Sequence, residues 1–198
     1  MRPDEVGQSY ETIAHLWQQP PMQSIGISQL DRAIKFTTAR QYALDIGCGC
    51  SGRFVDRLIT HGYQVEGVDV SERMIALAKV RHPNVGFHHA DISQWNLPRK
   101  YDVIVAWDSI WHVPLEEQTA VMQKICAGLT QSGVCLFTMG GLHEPGEKVD
   151  SCMGPPMYYS TLGIPKTLEL LTRCGCVCRH LEFDQYPEQH LYIIAQKI

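Results

Sequence analysis

The sequence predicts an α/β protein in three layers: a seven-stranded, mostly parallel sheet with an antiparallel last strand, and helices on both of its faces. Short apolar runs that alternate with segments of helical periodicity support this fold class. A glycine-rich turn joins the first apolar run to a helix, and acids lie at the ends of the first three runs. In open α/β sheets ligands bind at the carboxyl ends of the strands, so these turns predict a ligand site.

The glycine-rich turn follows a strand predicted over residues 42–46. Gly47, Gly49 and Gly52 allow a tight turn whose bare backbone lies against a ligand. Apolar residues then recur at helical spacing from Phe54 onward, so the turn opens a helix whose free N–H groups point into the loop. The sequence therefore predicts a ligand cradle at this turn.

Two classes of ligand use such a cradle. The three glycines spell the dinucleotide pattern G-x-G-x-x-G, and Asp69 follows about twenty residues later. Asp45, however, stands two residues before the first glycine, where its charge would repel a pyrophosphate and attract a cation. An NAD(P)-dependent oxidoreductase is therefore an alternative that requires a pyrophosphate beside Asp45.

Asp45-Ile-Gly-Cys-Gly49, followed by Asp69 and Asp91, resembles the class I S-adenosylmethionine-dependent methyltransferases of small-molecule type. The resemblance covers the chain from about residue 39 to the end. It implies a Rossmann-like methyltransferase fold and methyl transfer from S-adenosyl-L-methionine to an unidentified small-molecule acceptor by in-line displacement, with S-adenosyl-L-homocysteine as product. A non-catalytic S-adenosylmethionine-binding regulatory protein is a further alternative.

The resemblance also assigns residues to the cofactor. Asp69 would accept the ribose hydroxyls, or alternatively share a helix N-cap role with Ser71. Asp91 would accept the adenine amino group, with Met74 and Ile92 against the ring. The full set of expected cofactor-binding residues is Asp45, Gly47, Cys48, Gly49, Asp69, Val70, Met74, Asp91, Ile92 and Trp107.

Residues 107–114 place an acid, a hydroxyl, a histidine and two tryptophans directly after the fourth predicted strand. His112 is the candidate for catalysis and substrate binding, because a histidine with an ordinary pKa near 6.5 can remove a proton from an acceptor. The alternative is that His112 caps the helix that begins near Leu115. Trp107 is predicted to form a wall of the cofactor site.

Three tyrosines are the other candidates for substrate binding. Tyr158 and Tyr159 belong to residues 140–160, which are rich in glycine and proline and lack a period, so they predict a loop insertion that recognises substrate or forms a plain surface loop. Tyr186 lies in the link 184–190. If the sixth strand is parallel to the others, this link lies at the ligand edge, and a polar hairpin is the alternative.

The first 39 residues predict a helical cap ahead of a core over residues 40–198. A helix over residues 10–17 with Ser9 as N-cap is expected, then a second helix over residues 28–39. Tyr10 and Trp17 either close over the cofactor or pack at the domain edge.

Composition limits the class of protein. The 198 residues are 44% hydrophobic and 19% charged, which suits a single domain. A net charge of -4 argues against a nucleic-acid partner. The N-terminus lacks the apolar stretch of a signal peptide and no run is long enough to span a membrane, so a cytoplasmic protein is expected. Oligomeric state leaves no signal in the sequence.

Eight cysteines are expected to be reduced in that setting. Cys174, Cys176 and Cys178 alternate ahead of His180, whereas zinc sites usually show C-x-x-C pairs. Alternation suits small side chains on one face of a strand, so no metal site is predicted.

Overall fold

The computed structural model describes residues 1–198 apart from the side chain of Pro21. The strands are β1 Tyr42–Ile46, β2 Gln64–Asp69, β3 Gly86–His89, β4 Tyr101–Ala106, β5 Leu129–Gly140, β6 Gly146–Asp150, β7 Met157–Thr161, β8 Cys176–Phe183 and β9 His190–Lys197. The α-helices are α1 Pro3–Ile13, α2 Ile27–Ile34, α3 Arg53–Thr60, α4 Glu72–Arg81, α5 Leu115–Ala127 and α6 Ile164–Arg173. Short 3-10 helices cover Ala14–Gln18, Pro20–Gln23 and Ile110–His112.

Seven strands form one sheet in the order β3-β2-β1-β4-β5-β9-β8. Strands β1 to β5 are mutually parallel, and β9 is antiparallel to both of its neighbours. Strand β8 therefore runs parallel to β1–β5, and its exit lies at the same edge of the sheet as theirs. The predicted fold class is confirmed, as is the reversal of the last strand.

Strand β4 lies at the centre and is buried along its whole length. Because side chains alternate along a strand, Ile104 packs on the face covered by α5 and α6, while Val103 and Val105 pack on the face covered by α2, α3 and α4. These two apolar layers hold the strand ends in register at the edge where the site forms.

The N-terminal helices differ from their predicted bounds. Helix α1 already begins at Pro3, and Ser9 lies inside it with its buried hydroxyl donating to the carbonyl of Pro156 at 2.8 Å. The prediction that Ser9 caps this helix is therefore wrong. Helix α2 ends at Ile34 and not near residue 39. Shortly beyond it the Thr37 hydroxyl donates to the carbonyl of Ala39, a local bond that competes with helix continuation.

The segment predicted as a loop insertion over residues 140–160 contains regular structure. Strands β6 and β7 pair there as an antiparallel ribbon, with Val149 opposite Tyr158. The ribbon is anchored where the Ser160 hydroxyl donates to the carbonyl of Val113 at 2.6 Å and accepts from the Gln118 amide at 2.8 Å. The glycine and proline content of this segment is typical of a loop, and the hydrogen bonds of Ser160 stabilise the two strands despite it.

None of the helices in the described part of the chain combines the length and the apolar character that crossing a membrane requires.

Candidate functional site

A cavity of about 100 Å³ opens at the carboxyl edge of the sheet beneath α1. The structure brings nine of the ten residues predicted for cofactor binding to its wall, together with His112. These ten wall residues are Gly47, Cys48, Gly49, Asp69, Val70, Met74, Asp91, Ile92, Trp107 and His112.

The glycine turn forms the floor of the cavity. Gly47, Gly49 and Gly52 have φ angles of 68°, 54° and 72°, in the left-handed region that favours glycine. A Cβ on Gly47 would lie 2.2 Å from the Cβ of Ser109, so the turn and the end of β4 are in close contact. Among the described residues, a Cβ on Gly49 would come within 4 Å of Trp17 alone, at 3.8 Å, and would project into the space above the floor. Bare backbone therefore faces the ligand space at Gly49.

The amide groups of this turn are already bonded within the protein. The N–H groups of Gly47 and Cys48 both donate to the carbonyl of Val68, at 2.8 and 3.1 Å. The N–H of Gly49 donates to Oδ2 of Asp69 at 2.8 Å. Phosphate sites at such turns rely on free N–H groups, and here a carboxylate occupies one of them. This arrangement opposes a pyrophosphate.

Asp69 at the end of β2 is the acid of the floor. Its Oδ1 accepts from the N–H of Ser71 at 2.9 Å, while Oδ2 accepts from Gly49. Each carboxylate oxygen has two lone pairs, so both can accept a further hydrogen bond from a ligand. Burial raises the pKa of Asp69, and the backbone hydrogen bonds from Ser71 and Gly49 oppose that rise.

Asp45 is the predicted cofactor residue that does not line the cavity. It is only 2% exposed, and Ile46 and Gly47 form the wall in front of it. Burial raises its pKa to about 7, which nearby Arg53 opposes and Asp69 reinforces. The expected direct contact is therefore corrected: Asp45 lies behind the cavity wall.

Arg53 adds a cation to the wall beside Asp45. Its Nε donates to the carbonyl of Ile25 and one terminal nitrogen donates to the Ser51 hydroxyl, both at 2.8 Å. The guanidinium carbon lies 4.5 Å from the centre of the Phe54 ring. Sequence reasoning missed Arg53, although its position directly after the third glycine was the available signal.

Asp91 lies just beyond β3, and its own turn engages both carboxylate oxygens. Oδ1 accepts from the N–H of Ser93 and Oδ2 from the Ser93 hydroxyl, each at 2.8 Å. Met74 and Ile92 lie on the same part of the wall. This part of the cavity joins a thioether, an aliphatic side chain and a carboxylate.

His112 also lines the cavity and is 8% exposed. Its Nδ1 lies 2.6 Å from the carbonyl oxygen of Tyr158, so Nδ1 must carry the hydrogen. The single lone pair of Nε2 then faces two donors, Nε1 of Trp111 at 3.0 Å and the hydroxyl of Tyr10 at 2.7 Å. Burial lowers the pKa of His112 to about 4, so the ring is neutral at pH 7.

Trp107 and Ser109 contribute polar groups without partners. Among the described residues, neither the buried Trp107 indole nitrogen nor the Ser109 hydroxyl has a hydrogen-bond partner. Both residues line the cavity, and the Trp107 ring packs 6.1 Å from Phe54 and 5.6 Å from His190, centre to centre. Unpartnered buried polar groups at a cavity wall are suited to a ligand that hydrogen-bonds them.

Asp108 lies between these two residues and also lines the cavity. Its φ of 52° is unusual for a residue other than glycine. Oδ1 accepts from the Thr138 hydroxyl at 3.2 Å and from Nε2 of His190 at 2.9 Å. The second nitrogen of His190 contacts Asp184 at 2.5 Å. Burial by itself lowers the pKa of His190, but the two acids raise it overall.

The family model described as "Methyltransferase domain" matches residues 43–133. A ubiquinone biosynthesis O-methyltransferase from Azoarcus sp. is 27% identical over 147 residues, which are 68% of this chain and 61% of that protein. A dTDP-3-amino-3,6-dideoxy-alpha-D-glucopyranose N,N-dimethyltransferase from Streptomyces fradiae is 30% identical over 93 residues, 46% of this chain and 36% of that protein. The matches thus span less than two thirds of each relative.

Solved structures agree with the family match. A SAM-dependent methyltransferase from Leishmania major has a TM-score of 0.76 at 18% identity, over 97% of this chain and 81% of that one. The 1,6-didemethyltoxoflavin-N1-methyltransferase of Burkholderia thailandensis has a TM-score of 0.70 at 18% identity, over 96% and 84%. The chain has the class I methyltransferase fold. The resemblance recognised at Asp45 to Gly52, Asp69 and Asp91 is confirmed.

Within this methyltransferase fold, the three tyrosines predicted to bind substrate do not belong to the cavity wall. The Tyr158 hydroxyl donates to Glu147 at 2.6 Å and accepts from the N–H of Leu115 at 3.0 Å. The Tyr158 hydroxyl thus caps the start of α5, the role that was the alternative prediction for His112. The Tyr159 ring packs 5.0 Å from the His112 ring, centre to centre, and Tyr186 is 84% exposed on the β8–β9 link.

The cysteines of this methyltransferase fold are free thiols throughout the described residues, and no group of three or more His, Cys, Asp or Glu side chains there is arranged to hold a metal ion. Cys176 and Cys178 lie on β8, one buried and the other exposed. Cys174 precedes the strand and ends α6, which corrects the prediction that all three share a strand face.

Proposed function

We propose that the protein is an S-adenosyl-L-methionine-dependent methyltransferase acting on a small-molecule acceptor. The observation that carries this proposal is the glycine turn, whose Gly49 amide is bonded to Asp69 and is closed to a phosphate. A dinucleotide would place its pyrophosphate against that carboxylate, whereas the donor of a methyltransferase brings hydroxyls, amino groups and a cationic sulfur. The family match of residues 43–133 supports the same function.

The cavity offers groups that fit the donor along its length. Asp69 is suited to the ribose hydroxyls, and Asp91 to the adenine amino group. Met74 and Ile92 supply apolar contact for the ring. Arg53 supplies a positive charge for the carboxylate of the amino-acid part. When bound, the donor supplies a methyl group on a sulfonium, so its sulfur is a good leaving group without help from the protein.

The protein's own contribution is to align the reactants and to limit the access of water. Helix α1 covers the cavity with Val6 and Tyr10. His112 is neutral at pH 7, and its Nε2 is fixed as an acceptor by the carbonyl bonded to Nδ1. In this proposal Nε2 accepts a hydrogen bond from the methyl acceptor when that group displaces Tyr10.

A small-molecule acceptor is proposed because the named relatives methylate small molecules and the chain has a net charge of -4. That charge disfavours a polyanionic nucleic acid.

Calorimetric titration with S-adenosyl-L-methionine, S-adenosyl-L-homocysteine and NAD tests the proposal. We expect micromolar binding of the first two ligands and none of NAD. Methyl transfer from labelled donor to a panel of alcohols, phenols and amines then separates an enzyme from a protein that only binds the donor. NAD binding without binding of the other two would overturn the proposal in favour of an oxidoreductase.

A further inference from the structure

Aromatic rings and one carboxylate line the acceptor side of the cavity. Tyr10, Trp107 and His112 belong to its wall, and Tyr10 packs edge-on against His112 with ring centres 5.3 Å apart. Trp111 lies outside the wall and packs edge-on against His190 and Tyr159, with ring centres 5.5 and 5.8 Å apart. Asp108 also lines the cavity, and its side chain is 36% exposed.

Two buried residues hold Asp108. The hydroxyl of Thr138, which is fully buried, donates to Oδ1 and accepts from the Asp108 N–H at 2.7 Å. Nε2 of His190 donates to the same Oδ1. None of the described residues donates to Oδ2. One oxygen is therefore clamped, and the other is left for a ligand.

His190 is itself held from behind. It is 7% exposed, and each of its ring nitrogens lies within hydrogen-bond distance of a carboxylate. Nε2 of His190 contacts Asp108, and Nδ1 of His190 contacts Asp184. A carboxylate only accepts hydrogen bonds, so both nitrogens carry a hydrogen and the ring is cationic. The Gln29 amide donates to the other oxygen of Asp184 at 3.1 Å.

The charges around Asp108 leave a negative balance. Two carboxylates and one imidazolium sum to one negative charge. His112 is neutral, and Tyr10 and Tyr159 are uncharged hydroxyls at pH 7 because burial raises the pKa of both. Arg53 is the nearby cation. Its charge interacts with Asp45 more strongly than with Asp108, and it donates hydrogen bonds to Ile25 and Ser51 at the glycine turn. Lys148, above the Tyr159 ring, is paired with Asp150.

We propose that the acceptor is an amine, recognised in its ammonium form by Asp108, and that His190 and Asp184 position this carboxylate. The inference rests on the proposed methyltransferase function and names its acceptor class. An aromatic wall with a net negative charge favours an organic cation over a neutral alcohol and disfavours a carboxylate or phosphate.

The chemistry of transfer is consistent with this site. The bound ammonium loses one proton through Asp108 to water, to which the carboxylate is partly exposed. The nitrogen lone pair then forms the bond to the methyl carbon, the sulfur–carbon bond breaks, and its electron pair stays on the sulfur. The product is a methylated ammonium and a neutral thioether.

Three matched probes test the inference: 2-phenylethylamine, 2-phenylethanol and 3-phenylpropanoate, which present a cation, a neutral group and an anion on the same ring. Each is titrated into the protein saturated with S-adenosyl-L-homocysteine. We expect the amine to bind at least about tenfold tighter than the alcohol, and the carboxylate to bind weakest.

Asp108→Asn is the decisive variant, because asparagine tolerates a positive φ and keeps an oxygen for His190. It should reduce the amine preference to about twofold or less, while the affinity for S-adenosyl-L-homocysteine stays within about threefold. Glu169→Gln, which removes an exposed carboxylate on α6, is the matched control and should change neither quantity.

His190→Gln tests positioning. The variant should lower the ratio of amine to alcohol affinity to an intermediate value, about threefold, because Asp108 then lacks the hydrogen bond from His190 that fixes the direction of Oδ2. A lower melting temperature with an unchanged ratio would show that His190 is merely structural.

The outcomes separate the two proposals. Failure of the wild-type protein to bind S-adenosyl-L-homocysteine overturns the proposed function. Normal binding of that ligand with no amine preference, or with no probe bound, overturns only the amine assignment. A loss of S-adenosyl-L-homocysteine affinity well beyond threefold in Asp108→Asn, with the amine preference retained at saturating ligand, would move Asp108 to the donor side and also overturn the amine assignment.

Discussion

The two ends of the cavity are built in different ways. The donor end draws its turn and acids from one stretch, residues 45–92, and the bond from Gly49 to Asp69 spans 20 residues. The acceptor end joins distant segments: Tyr10 meets His112 across 102 residues, and Asp108 meets His190 across 82. The donor end is therefore a local motif, whereas the acceptor end exists only in the folded chain.

This difference predicts different responses to substitution. At the donor end the backbone itself forms the wall, so an added methyl group disturbs both folding and binding. At the acceptor end side chains satisfy one another through several hydrogen bonds, so the loss of one partner changes protonation or specificity before it changes the fold. The four predictions below test this contrast.

Gly47→Ala should have the largest effect. The alanine Cβ would lie 2.2 Å from the Ser109 Cβ at a φ of 68°. The free energy of unfolding should therefore fall by more than about 3 kcal/mol, and binding of S-adenosyl-L-homocysteine should be lost. Gly62→Ala is the matched control: its φ is 91° but nothing lies within 4 Å, so only strain of about 1 kcal/mol is expected. Urea unfolding measures both. Equal losses would contradict the close contact.

His112→Asn should change the pH dependence of stability. The folded pKa of about 4 lies below the unfolded value of about 6.5, so the wild type loses about 3 kcal/mol of stability as the pH falls from 6.5 to 4. The variant lacks this loss, so the difference between the two proteins should shrink with acid. Urea unfolding of both in the same buffers measures it, and parallel curves would refute the buried neutral state.

Asp69→Asn should weaken S-adenosyl-L-homocysteine binding about 10- to 100-fold. Asparagine has one side-chain oxygen, whereas Gly49 and Ser71 use one carboxylate oxygen each. Asp56→Asn, an acid on α3 outside the cavity wall, is the control and should keep wild-type affinity. Titration calorimetry measures both variants. Unchanged affinity in Asp69→Asn would count against its role at the donor end.

Tyr10→Phe should have the smallest effect. His112 keeps the hydrogen bond from Trp111, so unfolding free energy should change by less than about 1 kcal/mol and donor affinity should stay the same. Tyr63→Phe is the control, because the buried Tyr63 hydroxyl has no partner among the described residues. Thermal unfolding compares the two, and a larger loss in Tyr10→Phe would indicate that α1 depends on this bond.

Much of the donor end could be predicted. Gly47, Gly49, Asp69 and Asp91 were identified because a strand, a glycine turn and following acids recur in close succession, and each reaches the cavity wall. Asp45 was expected beside the ligand but lies behind the wall, because the pleat of β1 directs it away from the cavity.

The acceptor end could be predicted only in part. His112 was identified, but its alternative role as a cap is excluded because the Tyr158 hydroxyl bonds the start of α5. The β6–β7 ribbon was missed because its composition is that of a loop. Asp184 and His190 belong to the link 184–190, which was expected at the ligand edge, but only Tyr186 was chosen from it as a site residue, because the link is as polar as any hairpin.

The sequence by itself determined the alternation of strands and helices in the seven-stranded sheet, the glycine turn and the acids that follow it, since these depend on hydrophobic period and backbone freedom within short segments. Tertiary structure alone decided which partner meets each polar group. The Tyr158 carbonyl selects the tautomer of His112, and two acids from separate strand ends keep His190 cationic. Hydrogen bonding and burial depend on neighbours in space, and folding brings those neighbours from distant parts of the chain.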